Sequence, residues 1–232
     1  MGSVTVYLAS PGNQMHAACL EGMPTLLSYA QCRDGKKPHW IRRYQQTFGR
    51  ILIDSGAYSV LKSGVELDPA AYVDWAKGWG ERVDAYAGLD DISGDWRLSL
   101  RNYEHGGFPT FHNSDPWELL ADLIPMAKER GGWLGIGMVP PREGKADWLR
   151  DVLNEIPSTI HVHGWALRAY WQTHQRIDSV DSTNWWRDAE ARCAKEPWLT
   201  RSQACQIVVW RYQQQRRMIR AADHQGTIPF GD

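Results

Sequence analysis

Ile51-Leu-Ile-Asp-Ser-Gly-Ala-Tyr-Ser59 decides how the chain is read. β-Favouring apolar residues run straight into Asp54, and Ser55, Gly56 and Ala57 follow with little side-chain bulk. That is the pattern of a buried strand ending in a tight turn. Asp54 stands at the C-terminal tip, with the ring of Tyr58 just beyond. Parallel α/β proteins place their chemistry at such strand ends. A lone Asp-Ser-Gly is also an ordinary helix cap. The same construction recurs along the chain, however, and ends in a second carboxylate at Asp181.

Toward the N-terminus, 5–9 and 25–30 read as strands, with a helix over 14–21 and another over 39–48. Toward the C-terminus, strands are expected over 84–90, 109–112, 132–138, 159–164 and 176–181. Helices separate them. Asp68-Pro69 opens one with a capping carboxylate and a proline in the first turn, and 113–118 opens another with redundant caps. Helices over 145–156 and 165–175 follow. A helical extension covers about 184–225 and includes a long helix rich in Gln and Arg. About eight strands alternating with helices predict a compact (β/α)8 TIM-type barrel in a single domain over 1–232. An open doubly wound sheet is the alternative.

Composition narrows the function. The 232 residues suffice for a sizeable core, and 43% are apolar. A net charge of −1 provides no global basic field, so any nucleic acid must be held by a local patch. Neither a Gly-x-Gly-x-x-Gly nor a Walker-type loop is present, which argues against a nucleotide cofactor. Cys19, Cys32, Cys193 and Cys205 match neither a Cys-x-x-Cys pair nor a short disulfide framework. Reduced structural thiols in a cytoplasmic protein are expected, with no signal peptide and no membrane span. Most of the 13 tryptophans are expected to cover outer helices, the remainder being available to stack on bases.

The strand ends gather Asp54, Asp90 and Asp91, His112, Gly135 to Met138, His161 and His163, and Asp181. In a barrel these converge on one rim. Two chemistries fit them. In the first, His161 and His163 lie on one side of a strand and join Asp181 and Asp54 around a hydrolytic zinc. In the second, two carboxylates carry out glycosyl transfer, one attacking an anomeric carbon and the other moving the proton. A non-catalytic nucleic-acid-binding barrel is a third reading.

The second chemistry has a family counterpart. Asp54-Ser-Gly-Ala-Tyr58 resembles the Asp-Ser-Gly-Gly-Phe/Tyr segment of the tRNA-guanine transglycosylases, and Leu89-Asp90-Asp91 resembles their Phe-Asp-Glu. His112 falls where that family has a base-reading Gln. Gly135-Ile-Gly137 is similar to its glycine strand, and Val162-His163-Gly164 falls at its Met-Gly pair. Ser179-Val-Asp-Ser182 resembles the segment carrying its nucleophilic Asp. The segments occur in the family's order, over about 50–187, with compressed spacing. His112-x-x-Asp-Pro-Trp117 and the run from Ser179 to Trp185 look closer still to the phage and bacterial DNA-guanine transglycosylases. The Cys-x-Cys-x-x-Cys…His zinc site of the tRNA enzymes is absent, which favours the DNA branch.

The resemblance implies replacement of guanine in DNA by a 7-deazaguanine base, with no zinc expected and tRNA as the alternative polymer. Asp181 would be the nucleophile and Asp54 the general acid/base. Ser55, Tyr58, Asp90, Asp91, His112, Gly135, Gly137, Met138 and His163 would surround the base. Arg211, Arg216, Arg217 and Arg220 on the last helix are candidates for phosphate contacts, as a solvated helix face would also present them. The sequence leaves open a homodimer or a partner protein.

Overall fold

The structure, a computed structural model, describes residues 4–32, 41, 46–61, 66–137, 145–165, 167 and 176–225. The opening strand forms where expected, as β3 (Arg50–Asp54). Around it stand β1 (Thr5–Ala9), β2 (Pro24–Ser28) and β4 (Val83–Tyr86). The second half holds β5 (Thr110–His112), β6 (Trp133–Gly137), β7 (His161–Trp165) and β8 (Ser179–Ser182). The helices are α1 (Gln14–Cys19), α2 (Tyr29–Cys32), α3 (Ala57–Leu61), α4 (Pro69–Lys77) and α5 (Trp96–Tyr103), followed by α6 (Leu119–Glu129), α7 (Lys145–Glu155), α8 (Asn184–Lys195) and α9 (Arg201–Gln225). Among the described residues no helix is long and apolar enough to cross a membrane.

The strands make one eight-stranded sheet in the order β4-β3-β2-β1-β8-β7-β6-β5, with every pairing parallel. The sheet is curled. Tyr7 on β1 donates its hydroxyl to Asp84 on β4 at 2.6 Å, across two intervening strands. The α/β expectation is met by this curled parallel sheet, but a closed TIM-type barrel is not: regular pairing does not run all the way round. β4 and β5 meet at a single bridge, Ala87 to Phe108. There the Phe108 N–H donates to the Tyr86 carbonyl (2.9 Å) and the Gly88 N–H to the Phe108 carbonyl (2.7 Å). β5 is only three residues long, so it has little ladder to offer.

Alternation sorts the side chains into two faces. Val162 and Val180 pack outward against helices in one cluster with Leu123, Leu149 and Leu153. A second outer cluster joins Ile51 and Ile53 to Tyr72, Val73 and Trp185. The inner face carries Tyr7, Leu26, Leu52, Phe108 and Trp133, with Trp165 against them. Part of the tryptophan expectation therefore changes: Trp133 and Trp165 fill the inside of the sheet. Trp75 and Trp79 do meet edge to face along the outer helix surface.

Local signals held at several element ends. Asp68 caps α4, its carboxylate accepting from Ala70 N–H (2.9 Å) and Ala71 N–H (3.3 Å), with Pro69 in the first turn. The strand expected to reach 90 stops at Tyr86, leaving Asp90 in the following loop. The strand read over 25–30 ends at Ser28, where α2 begins. Trp165 ends β7 instead of starting a helix, and 168–175 lie outside the described residues. Most of the helix expected over 39–48 also lies outside them.

Gly56 lets β3 turn into α3. Its φ is +78°, a left-handed conformation, and a Cβ there would come within 2.4 Å of Ser28 Oγ and 2.5 Å of Ala30 Cβ. Gly56→Ala is expected to destabilise the protein by roughly 2–4 kcal/mol, read as a lowered denaturant midpoint.

Candidate active site

The C-terminal strand ends surround one cavity of about 1160 Å³. Every strand delivers a residue to it. The first half contributes Ala9, Ser28, Asp54 and, just past β4, Ala87. The second half contributes His112, Gly137, Trp165 and Asp181. Asp90 reaches the same space from its loop and Tyr58 from α3, where its ring is exposed. Asp54, Tyr58, Asp90, His112, Gly137 and Asp181, expected from the sequence to share a site, thus do so.

Asp54 is a strongly perturbed carboxyl. Its pKa is raised from 3.8 to about 7, first by burial and then by the charges of Asp90 and Asp181. Hydrogen bonds from the Gly56 and Ser55 backbone N–H groups oppose the rise without cancelling it. A carboxyl near 7 holds and releases a proton in turn at neutral pH, as a general acid/base must.

His112 is held between two carboxylates. Nε2 lies 3.1 Å from Asp90 Oδ2 and Nδ1 lies 3.6 Å from Asp115 Oδ2. Burial alone would lower its pKa, but hydrogen bonding to Asp115 and Asp90 outweighs it and raises the ring to about 10. His112 is therefore an imidazolium that fixes one side of Asp90. Asp115, expected to cap a helix, instead accepts from the His112 N–H at 2.7 Å. The helix starts later, at Leu119, with no side-chain cap.

Because the folded pKa is raised, the stabilisation from this imidazolium is complete below about 6.5 and is lost as pH climbs through about 10. His112→Gln is expected to lower Tm most at pH 6 to 7, with the gap from the parent closing toward pH 10.

Ladder register decides which of the other expected residues reach the cavity. Thr110, Gly135, His163 and Ser179 are successive cross-strand partners, forming one layer. The next layer toward the cavity holds His112, Gly137 and Trp165, with Asp181 two residues beyond Ser179. His163 is thus fully buried beneath the rim and does not line the cavity. Gly135 also lies below. A Cβ there would meet Thr110 Oγ1 and Trp165 Nε1, each at 2.5 Å, so its missing side chain makes room for the Trp165-to-Thr110 hydrogen bond (3.2 Å). Gly137 does border the cavity, against His112, whose Cδ2 would lie 2.5 Å from a Cβ.

Two more expectations change. Asp91 points away and organises its own loop, accepting from Ser93 Oγ (2.6 Å) and the Asp95 N–H (2.8 Å). Ser55 is buried, with its Oγ accepting from Ala57 N–H at 3.3 Å. Met138 lies outside the described residues. Arg211 is exposed on α9 next to exposed Trp210, away from the cavity lining. The side chains of Arg216, Arg217 and Arg220 lie outside the described residues.

The zinc arrangement built on His161 and His163 is not assembled. Both rings lie on one side of β7, but each turns a nitrogen to Ser179 Oγ, at 2.7 and 2.8 Å. Among the described residues no group of three or more His, Cys, Asp or Glu is placed to hold a metal ion.

The sequence reading missed His16, Thr110, Trp165, Trp186 and Arg187 around the cavity. His16 stacks on Trp186, and the Arg187 guanidinium lies 5.3 Å from the same indole. Trp186 and Arg187 could have been found by counting past Asp181 into the helix that follows. His16 lies in a remote segment whose approach only the fold reveals. No protein-family model matches the chain, and no curated protein matches it.

Proposed function

We propose that the protein is a base-exchanging glycosyltransferase that replaces guanine in a nucleic acid, with DNA the preferred polymer and tRNA the alternative, by a 7-deazaguanine. The observation that carries this reading is that Asp54 and Asp181, on strands from opposite halves of the chain, border one cavity while Asp54 is tuned to about 7. The motif resemblance supplies the substrate class. We read the curled sheet as a (β/α)8 barrel with an incomplete β4–β5 ladder, and the four free thiols as suited to a reducing, cytoplasmic setting.

The chemistry balances on the two carboxylates. A carboxylate oxygen of Asp181 forms a bond to C1′ as the C1′–N9 bond breaks. The bonding pair goes to N9 of guanine, which takes a proton from Asp54. The incoming 7-deazaguanine gives its N9 proton to Asp54, N9 bonds to C1′, and the ester pair returns to Asp181. Asp90, steadied by His112, would accept from the N1–H and the exocyclic amine of either base. Tyr58 would stack on it. The target nucleotide must be extruded or single-stranded for C1′ to reach the cavity floor.

Incubation of the protein with guanine-labelled DNA or tRNA and a panel of 7-deazaguanines tests the reading. Label release that requires the 7-deaza base supports exchange. Retention of label in both polymers would refute it.

A further inference from the structure

Beneath Asp181 lies a polar chain that the proposed exchange does not use. His163 is completely buried, and among the described residues its Nε2 has no hydrogen-bond partner. Asp181 Oδ1 lies 3.9 Å from that nitrogen. On the other side of the ring, Nδ1 lies 2.8 Å from Ser179 Oγ. The same oxygen lies 2.7 Å from His161 Nε2. The rings are wedged in place. His161 stacks on Trp133 with centroids 3.7 Å apart, and His163 meets Trp165 edge to face at 4.3 Å.

The proton count in this chain is constrained. A serine hydroxyl has one hydrogen and two lone pairs; among the described residues the two ring nitrogens are the partners shown for Ser179 Oγ, so the arrangements that use its hydrogen have one nitrogen donating and the other accepting. Burial holds both rings below their ordinary pKa, so each is neutral and carries one proton. Two arrangements remain. In one, His163 donates through Nδ1 and turns the bare lone pair of Nε2 toward a carboxylate, leaving a buried acceptor facing a negative charge. In the other, His161 donates to Ser179, Ser179 donates to His163 Nδ1, and the remaining proton stands on Nε2 facing Asp181. An ionised Asp181 selects the second.

We infer that His163 is a positioning residue for Asp181: its Nε2–H faces one carboxylate oxygen across 3.9 Å, and His161 and Ser179 fix the tautomer that places the proton there. The role as it bears on catalysis rests on the reading of Asp181 as nucleophile. The contact favours the ionised carboxylate over the ester. It therefore keeps the free enzyme ready to attack and helps Asp181 depart when the second base enters. The ladder explains why this pairing exists. His163 and Ser179 are direct partners across β7 and β8, and Asp181 is the next residue of β8 on the same face.

The test reads the tautomer first, in the unmodified full chain. Nitrogen-15 labelling of the histidine rings, assigned with His161→Gln and His163→Gln, is expected to show His163 protonated at Nε2 and bare at Nδ1 from pH 6 to 9. Asp181→Asn is expected to move the Nε2–H resonance, because the charge it faces is gone. A His163 protonated at Nδ1, or a resonance indifferent to Asp181→Asn, overturns the inference whether or not the protein exchanges bases.

Kinetics then read the positioning. Ser179→Ala is expected to slow single-turnover formation of the glycosyl–protein adduct by roughly 10- to 100-fold. Affinity for DNA should stay within about twofold, since Ser179 lies below the cavity. Ser179→Thr, which keeps the hydroxyl, should restore most of the rate. An unchanged adduct rate in Ser179→Ala overturns the positioning role. Absence of any adduct in the parent protein refutes the exchange reading while leaving the tautomer measurement standing.

Discussion

Asp181→Asn is expected to abolish base exchange, lowering the rate by at least ~10³-fold, while leaving the fold and DNA affinity close to those of the parent. The amide is nearly isosteric, and its nitrogen and carbonyl cannot replace a carboxylate as a nucleophile toward C1′. The strand that carries it is anchored independently. Val180 beside it is buried among helices, and the β1–β8 ladder runs from Thr5–Ser179 to Leu8–Ser182. The measurement is trapping of a denaturation-resistant nucleic acid–protein adduct. The parent should form it and Asp181→Asn should not. An adduct of equal yield in Asp181→Asn would move the nucleophile elsewhere.

Asp54→Asn carries the second large effect, and it separates stability from activity. A carboxyl whose folded pKa is raised binds its proton more tightly when folded than when unfolded. Between 3.8 and about 7 the folded state thus holds more protons, and stability falls as pH rises through that window. Above it the ionised Asp54 costs the folded protein up to roughly 4 kcal/mol. Removing the charge should make Asp54→Asn more stable than the parent at pH 8, with the difference vanishing near pH 4. Denaturant titrations at the two pH values measure this, and a variant less stable at pH 8 would contradict it. Exchange should nevertheless be lost. In the parent, the guanine-releasing half of the reaction should slow as pH rises through about 7, because the acid form of Asp54 is then depleted.

The strand-end carboxylates were legible because apolar runs announce where a strand stops. Ile51 to Ile53 locate Asp54, and Val180 locates Asp181 in the same way. Depth was not legible. Period-two alternation puts 161, 163 and 165 on one face but does not say which of them reaches the rim. Each step of two residues moves a side chain roughly 7 Å along the strand. His163 was therefore read as a rim residue when Trp165 holds that level, and Gly135 was placed at the rim alongside Gly137 by the same error. Asp115 shows a different limit. Its position before a helix made a cap the economical reading, but an imidazole three residues back offered a stronger partner in less water. His16 reaches the cavity through contacts between distant segments, which no local pattern encodes.

The single bridge between β4 and β5 has a mechanical consequence. Seven junctions of the wall are stitched by ladders, whereas this one has the Ala87–Phe108 fastening, so it is the most compliant line in the wall. Asp90 follows one side and His112 ends the other, so their ion pair acts as a clasp across the slit. A base that engages Asp90 would pull on that clasp directly. The wall would then behave as an expansion joint whose opening is set by the group that grips the cargo. The amide hydrogens of Gly88 and Phe108 should report it, exchanging with solvent faster than those of Leu52 or Ile136, with their rate altered when a 7-deazaguanine fills the cavity.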